Sequence, residues 1–276
     1  MLGIGRAGAL IGIVGVICLW VSGCSSWGIG GGSGQAARNS TIRWNSDPAA
    51  PAGSASGACQ PEAQWDADPS QTTSQLTPCK GFGSGFFVSE RGDILTSAHV
   101  VEGCSRLAVR GPSGRVYAAR IASTDGAYDL AILKVDGEVP ATAVLGVEAP
   151  LPSAPIAVVG FPETQASLGG ATSGVGQILP PENYTQNRGL IVFNANLARG
   201  NSGGPIVDTK GQVVGIVFAR YNPAPGVFFG VGSETMRRFL DRHAVGYHMA
   251  RVSPPAGFDE IIRSAIAYTV YVQCLA

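Results

Sequence analysis

The sequence predicts an all-β protein, and two observations lead to this fold class. Glycine and proline are abundant, with 39 and 18 copies in a chain of 276 residues. Between them the β-branched and aliphatic runs are roughly five to seven residues long, the length of strands rather than helices. Charged residues make up 14% of the chain and the formal net charge is zero, so the composition indicates neither a nucleic-acid partner nor an acidic substrate.

Apolar runs separated by turn signals predict short strands in two groups. The first group comprises 84–88, 94–98, 107–110, 115–121 and 130–135. The second comprises 155–160, 171–179, 190–195, 205–208, 213–219 and 227–232. The segment 208–211, DTKG, predicts a hairpin turn. A helix should then begin with Ser233 as its N-cap and run to about His243, with Met236, Phe239 and Leu240 on one face.

The segment 199–205, RGNSGGP, has the pattern of a tight turn that holds a hydroxyl outward. Such a turn suits Ser202 as a nucleophile, with the backbone N–H groups of Gly200 and Ser202 as donors to an oxyanion. A Gly-x-Ser-Gly segment can equally be a simple connection between two strands. The segment alone therefore establishes no site.

Two upstream segments supply candidate partners for Ser202. His99 follows an apolar run in 96–101, TSAHVV, and Asp129 begins one in 128–135, YDLAILKV. The other two histidines lie in tail segments without suitable partners. Asp125 is four residues before Asp129, but its surroundings indicate a turn with no strand directly after it. His99 and Asp129 are therefore the favoured pair.

In the order His, Asp, Ser, these motifs resemble the chymotrypsin-like serine proteases and are most similar to the bacterial HtrA (Deg) branch. The segment 83–88, GSGFFV, resembles a further strand motif of that branch, and the resemblance covers roughly residues 80 to 240. It implies two packed antiparallel β-barrels with a C-terminal helix and a short tail. It also implies a triad of His99, Asp129 and Ser202 between the barrels, acting on polypeptides with no metal or cofactor.

Two features depart from what these families imply. The residue before Ser202 is the neutral Asn201, where digestive-type relatives carry an aspartate that pairs with a new N-terminal amine. We therefore expect control by loop ordering rather than by cleavage of a propeptide. The chain also continues for only 31 residues after Val245, fewer than the roughly 90 of a PDZ domain. We expect no PDZ domain, and the oligomeric state stays open.

The resemblance places the substrate pocket in three short segments. Its residues would be Asn196, Leu197, Phe218, Ala219, Arg220, Gly226 and Phe228. These segments contain no acidic residue, and the phenylalanines should narrow the cavity, which predicts a small aliphatic side chain before the cleaved bond. Arg220 offers the alternative of recruiting an acidic side chain instead.

The N-terminus predicts a targeting segment and a tether. Arg6 precedes an apolar stretch, 7–21, and the chain then reads VSGC up to Cys24. These four residues resemble the lipobox of bacterial lipoproteins, so we expect a signal peptide at 1–23, lipid on Cys24 and attachment to the extracytoplasmic cell envelope. A transmembrane anchor is the alternative, but the stretch is slightly short and interrupted by glycine.

The predicted domain boundaries follow from composition and from the extent of the resemblance. Residues 24–75 are rich in Gly, Ser, Pro and Ala and should form a flexible tether. Residues 76–245 should form the protease domain, and 246–276 a tail that is partly helical. A lipoprotein whose protease fold is catalytically idle and serves as a binding module is the alternative function, and a structural envelope protein is a weaker one.

Four cysteines remain once Cys18 is removed with the signal and Cys24 carries lipid. They are Cys59, Cys79, Cys104 and Cys274. In an oxidising compartment two disulfides are expected, but four cysteines allow three connectivities. The resemblance favours Cys79–Cys104, because a disulfide brackets the histidine in many chymotrypsin-like enzymes, and leaves Cys59–Cys274 as the second pair.

Overall fold

The structure is a computed structural model that describes residues 79–163, 170–181, 189–220, 224–250 and 254–275. The predicted signal peptide, the lipidation of Cys24 and all of the predicted tether lie outside these ranges. Within them the chain forms two closed β-barrels and three helices, so the predicted fold class is confirmed. No described helix is both long enough and apolar enough to serve as a membrane span.

The first barrel carries both candidate partners of Ser202. Its strands are β1 (Cys79–Phe87), β2 (Asp93–Ser97), β3 (Arg106–Arg110), β4 (Val116–Asp125), β5 (Leu130–Val135) and β14 (Thr269–Leu275). They pair in the closed order β1-β14-β3-β4-β5-β2. Every residue of β2 is buried, which holds the end of this strand rigidly at the point where His99 follows.

The second barrel carries the serine turn. Its strands are β7 (Pro155–Gly160), β8 (Thr172–Leu179), β9 (Leu190–Ala195), β10 (Pro205–Asp208), β11 (Val213–Arg220) and β12 (Val227–Gly232). Pairing of β10 with β11 closes this sheet, and two short parallel strands, β6 (Val144–Leu145) and β13 (His248–Met249), extend it. The predicted turn at 208–211 joins β10 to β11, where Asp208 Oδ1 accepts hydrogen bonds from the amides of Lys210 and Gln212.

Three helices connect and cover the barrels: α1 (Ala98–Val101), α2 (Ser233–Arg242) and α3 (Phe258–Tyr268). The predicted apolar face of α2 is buried through Met236, Phe239 and Leu240. Its N-cap is Gly232 rather than the predicted Ser233, which is the first helical residue and makes no side-chain cap.

The segment 246–276 is more than the predicted partly helical tail. It contains α3, but it continues into β14, which pairs with β1 on one side and β3 on the other. All seven residues of β14 are buried, because Val270 and Val272 face the core of the first barrel while Tyr271 packs against Phe161. The predicted domain boundary at 245 is therefore wrong, since the first barrel needs a strand from the C-terminal segment.

The disulfide in the described part of the chain also differs from the prediction. Cys104 pairs with Cys274, with their Cα atoms 5.3 Å apart, so neither Cys79–Cys104 nor Cys59–Cys274 forms. The reason is the position of β14, which places Cys274 opposite Leu107, three residues from Cys104. The side chains of Cys59 and Cys79 lie beyond what the structure describes.

Candidate active site

Strand pairing in the first barrel brings His99 and Asp129 together. β2 pairs with β5 so that Ser97 lies opposite Leu130, which places the residues just beyond these ends side by side. The Ala98 amide accordingly donates to the Asp129 carbonyl oxygen over 2.9 Å. Asp129 adopts a φ of +53°, in the left-handed region, and its side chain can therefore turn back towards α1.

Both carboxylate oxygens of Asp129 contact His99. Oδ2 lies 2.5 Å from His99 Nδ1, and Oδ1 accepts the His99 backbone N–H at 2.8 Å. The Asp129 side chain is 14% exposed and the His99 side chain 32%, so the aspartate is shielded while the imidazole reaches the surface. With Nδ1 on the carboxylate, Nε2 is the ring nitrogen at the opposite edge of the imidazole.

Asp125, the competing carboxylate, serves a different purpose. Its Oδ1 accepts hydrogen bonds from the amides of Ala127 and Tyr128, which closes the turn leading to Asp129. Its Oδ2 accepts from Arg242 Nη2 on α2 at 2.7 Å. Burial raises the pKa of Asp125, but these hydrogen bonds outweigh it and hold the pKa below its ordinary value.

We expect Asp125→Asn to lower the free energy of unfolding by about 0.5–1 kcal/mol at pH 7, because asparagine loses the ion pair with the largely exposed Arg242. A folded-state pKa below the unfolded value of about 4 means that this contribution is present above pH 4 and is lost as pH falls through the folded pKa. Urea unfolding between pH 7 and pH 3 tests this. Glu148→Gln, at an exposed carboxylate, is the control, and a difference between wild type and Asp125→Asn that does not shrink as pH falls to 3 would contradict the assignment.

The serine turn requires glycine at two positions. Gly200 has a φ of +99°, and a Cβ there would lie 2.3 Å from the Phe161 carbonyl oxygen. Gly203 has a φ of +83°, and its Cβ would lie 2.1 Å from the Ser84 carbonyl oxygen. Both the backbone angle and the close approach of neighbouring backbone therefore exclude larger residues.

Asn201, between Gly200 and Ser202, stabilises the turn from within. It is 4% exposed, and its side-chain Nδ2 donates to the Ala198 carbonyl oxygen over 2.9 Å. The Gly204 amide in turn donates to the Asn201 carbonyl oxygen, also at 2.9 Å. The neutral residue noted in the sequence thus uses its amide to close the turn locally.

Hydrogen bonds hold the serine turn against the first barrel. The Ser84 amide donates to the Ser202 carbonyl oxygen at 2.8 Å. The Val217 carbonyl oxygen accepts both the Gly203 amide at 2.9 Å and the Ser97 hydroxyl at 3.1 Å, so it links the residue after Ser202 to the residue two before His99. Ser202 itself remains partly exposed.

The turn also presents two backbone donors. Among the described residues, neither the Gly200 N–H nor the Ser202 N–H has a hydrogen-bond partner. Unpaired amides in a partly buried turn are suited to bind an oxygen that acquires negative charge. The arrangement thus combines a hydroxyl, an imidazole beside a carboxylate and two candidate donors to an oxyanion.

A comparison with protein families decides the classification. Residues 83–216 match the model of the trypsin-like peptidase domain, a range that includes His99, Asp129 and Ser202. This part of the chain is similar to the trypsin-like peptidase domain. The match runs from the middle of β1 into β11 and ends before β12 and β14, which complete the two barrels.

Curated relatives agree with this classification. The chain is 34% identical to an uncharacterised protein, y4bJ, of Sinorhizobium fredii over 74% of its own length and 34% of the relative's. It is 32% identical to a probable periplasmic serine endoprotease, DegP-like, of a Marinomonas species over 58% of its length and 35% of the relative's. The chain therefore spans about a third of the length of these relatives.

Solved structures show the same fold. A serine endoprotease from Yersinia pestis aligns with a TM-score of 0.54 at 24% identity, covering 62% of this chain and 59% of that one. The inactive form of a mutant of Rv3671c from Mycobacterium tuberculosis aligns with a TM-score of 0.51 at 27% identity, covering 59% and 81%. The double barrel is thus of the chymotrypsin type.

The structure separates the residues predicted to form the substrate pocket. Phe228 lies in the core of the second barrel, stacked on Phe193 with ring centroids 5.8 Å apart, and Leu197 is buried in the same core. The sequence interpretation placed both in the pocket wall, but the inward register of β12 directs Phe228 into the barrel. Asn196 and Gly226 are exposed.

The remaining pocket candidates lie on β11. Phe218 is partly buried and packs beside Phe229. Ala219 and Arg220 pair by their backbones with Phe229 and Phe228, and their side chains fall outside the described set. A pocket lining of Phe218, Ala219 and Arg220 therefore stays a prediction.

Sequence reasoning gave no role to one residue that contacts the serine turn directly. Ser84, in the GSGFFV segment of β1, is fully buried and donates its hydroxyl to the Gly200 carbonyl oxygen at 2.7 Å. The available signal was a serine between two glycines in an otherwise apolar strand, where a buried hydroxyl needs a partner.

Proposed function

We propose that the protein is a serine endopeptidase that hydrolyses peptide bonds in unfolded or damaged proteins of the cell envelope through Ser202, His99 and Asp129. The observation that carries this proposal is the His99–Asp129 pair beside a serine turn whose two amide donors are unoccupied. The trypsin-like peptidase domain and the relatives named serine endoproteases support the reaction class.

In the proposed reaction His99 first accepts a proton from Ser202 and then donates it to the leaving group. His99 Nε2 accepts the Ser202 proton as Oγ attacks the peptide carbonyl carbon, and the Gly200 and Ser202 amides bind the resulting oxyanion. The imidazolium, stabilised by Asp129 at Nδ1, then protonates the leaving amine. Water then attacks the acyl-enzyme with His99 as the base, which releases the new carboxyl group and returns the proton to Ser202.

The location in the envelope rests on separate support. Three relatives are named probable periplasmic serine endoproteases, and the Cys104–Cys274 disulfide suits an oxidising compartment. The predicted lipid on Cys24 would attach the domain to a membrane through the segment that precedes β1. Polypeptides exposed in that compartment are the substrates this arrangement serves.

Labelling with a fluorophosphonate tests the proposal directly, because the probe phosphonylates only a serine activated by a base and an oxyanion hole. We expect the purified protein to be labelled and Ser202→Ala to be unlabelled. If the wild type is not labelled while it is folded, the protein is instead a catalytically idle binding module with a protease fold.

We expect cleavage mainly after Val, Ala or Leu. The predicted pocket segments contain no carboxylate, so a buried Lys or Arg side chain would lose hydration without compensation, at a cost of several kcal/mol. A small aliphatic side chain gains about 1.5–3 kcal/mol by burial. Mass-spectrometric mapping of cuts in a denatured protein measures the preference.

Two other patterns of cleavage would overturn this expectation. Cuts mainly after Lys or Arg would contradict an apolar pocket. Cuts mainly after Asp or Glu would assign the selection to Arg220, and Arg220→Ala should then abolish that preference without abolishing labelling of Ser202.

A further inference from the structure

Ser84 connects the first barrel to the second through three hydrogen bonds, two of which reach the serine turn. Its hydroxyl donates to the Gly200 carbonyl oxygen at 2.7 Å and accepts the Phe161 amide at 2.9 Å. Its own amide donates to the Ser202 carbonyl oxygen at 2.8 Å. One residue of β1 thus contacts Gly200 and Ser202 together with the residue that follows β7.

The surroundings confine the Ser84 hydroxyl to this position. Ser84 is 0% exposed, and a Cβ on Gly160 would lie 2.9 Å from its Oγ. The same Cβ would lie 2.5 Å from Asn201 Oδ1. Glycine at 160 therefore makes room for two polar side chains that both support the turn.

The hydrogen bond from the Ser84 hydroxyl to the Gly200 carbonyl oxygen orients the peptide unit between Gly200 and Asn201. A peptide unit is planar, so anchoring its carbonyl oxygen also fixes the direction of its N–H. Glu163 N anchors the Arg199 carbonyl at 2.7 Å, which orients the Gly200 N–H, and Ser84 anchors the next carbonyl, that of Gly200. The two anchors together hold Gly200 at its φ of +99°.

We propose that Ser84 is a positioning residue that keeps the Gly200 amide directed at the oxyanion. This inference rests on the proposed function, because it acts through the oxyanion donors assigned there. Glycine rotates easily between conformations, so the turn depends on its anchors more than a turn of larger residues would. Loss of the Ser84 hydroxyl releases the Gly200 carbonyl, and the adjoining peptide planes can then rotate.

The C-terminal strand β14 pairs with β1 at Ser84. Ser84 lies opposite Tyr271 of β14 in register, and the Tyr271 ring packs against Phe82 and Phe161 with centroids 6.0 and 5.8 Å apart. Phe161 is the residue whose amide binds the Ser84 hydroxyl. The strand that closes the first barrel therefore also packs against the anchors of the serine turn.

The test compares Ser84→Ala with Thr269→Val, which also removes a buried hydroxyl from the first barrel, where Thr269 Oγ1 donates to the Ala265 carbonyl oxygen. We expect kcat of Ser84→Ala to fall about 10- to 100-fold with KM within about twofold, and kcat of Thr269→Val to stay near wild type. A peptide boronate, which forms a tetrahedral anion on Ser202, should bind more weakly to Ser84→Ala by the same factor as kcat. Binding of the matching peptide acid should not change.

If Ser84 only stabilised the fold, its replacement would not weaken binding of the boronate while leaving binding of the peptide acid unchanged. If Ser84→Ala has wild-type kcat, or weakens both ligands equally, the inference is wrong. If Ser202→Ala retains activity in the same assay, the proposed function itself fails. Should Ser84→Ala not fold, Ser84→Cys retains a weak donor of similar shape, and its kcat is expected below the wild type while its KM stays unchanged.

Discussion

Replacement of Ser202 by alanine is expected to lower kcat for hydrolysis of unfolded casein by about 10⁴- to 10⁶-fold, since no other group supplies the attacking oxygen. His99→Ala should have an effect of the same size, because the serine hydroxyl is a weak nucleophile without a base. Asp129→Asn should cost about 10⁴-fold, because an amide at Oδ2 can no longer stabilise the imidazolium or select its tautomer.

The rate losses caused by replacing Ser202 and His99 should not add. Because the three groups act as one unit, the double variant Ser202→Ala/His99→Ala should be no slower than Ser202→Ala alone. His248→Ala is the matched control: its ring is half exposed and 3.6 Å from Glu90, and the variant should keep the wild-type rate. Multiplicative losses in the double variant, or casein cleavage by Ser202→Ala at the wild-type rate, would refute the triad.

The strands around the site could be predicted because each is an apolar run bounded by residues that favour turns. β5 and β7 were predicted with the bounds the structure shows, and β2 within one residue at either end. The turn chemistry is equally local, as the Asp208 side chain shows by accepting the amides of Lys210 and Gln212. Local patterns of this kind need no knowledge of the rest of the chain.

The position of β14 could not be predicted in the same way. Its seven residues are apolar enough to form a strand, but nothing local says that they insert between β1 and β3, more than 150 residues earlier in the chain. The disulfide prediction failed for the same reason, because Cys274 reaches Cys104 only once β14 is in place. Long-range pairing depends on which strand edges remain unpaired after the local elements form.

The side chains that line the substrate pocket could not be predicted for a different reason. Phe228 and Phe229 are adjacent in β12, and alternation directs one into the barrel core and the other to the opposite face. Which of the two points inward depends on the register with β9 and β11, where a bulge lies between Val217 and Ala219. A resemblance between segments identifies such residues as neighbours of the site but does not determine which side chain faces the substrate.

Removal of the Cys104–Cys274 disulfide should have a large effect on stability. The two cysteines are 170 residues apart, and the chain-entropy model gives about 5 kcal/mol for a closed loop of that length. Measured losses for native disulfides are typically about 2–5 kcal/mol. We therefore expect Cys104→Ala/Cys274→Ala to lower the free energy of unfolding by about 2–5 kcal/mol in urea titrations.

Peptide mapping without reduction provides the decisive structural check. Proteolytic fragments containing Cys104 and Cys274 should be linked, and Cys79→Ala should leave that link intact. Recovery of a Cys79–Cys104 linked pair would show that the resemblance predicted the connectivity correctly and that β14 does not occupy the position described here.

Loss of the disulfide should affect activity as well as stability. β14 pairs with β1 at Ser84, and Ser84 is hydrogen-bonded to the serine turn. Reduction of the disulfide leaves β14 held by non-covalent contacts, which include its pairing with β1 and β3 and the packing of Tyr271 on Phe82 and Phe161. We expect fluorophosphonate labelling of Ser202 in the reduced wild type to decline at lower urea concentrations than in the oxidised protein. Labelling that declines at the same urea concentration in both would show that the serine turn is stable without the covalent link to the C-terminal strand.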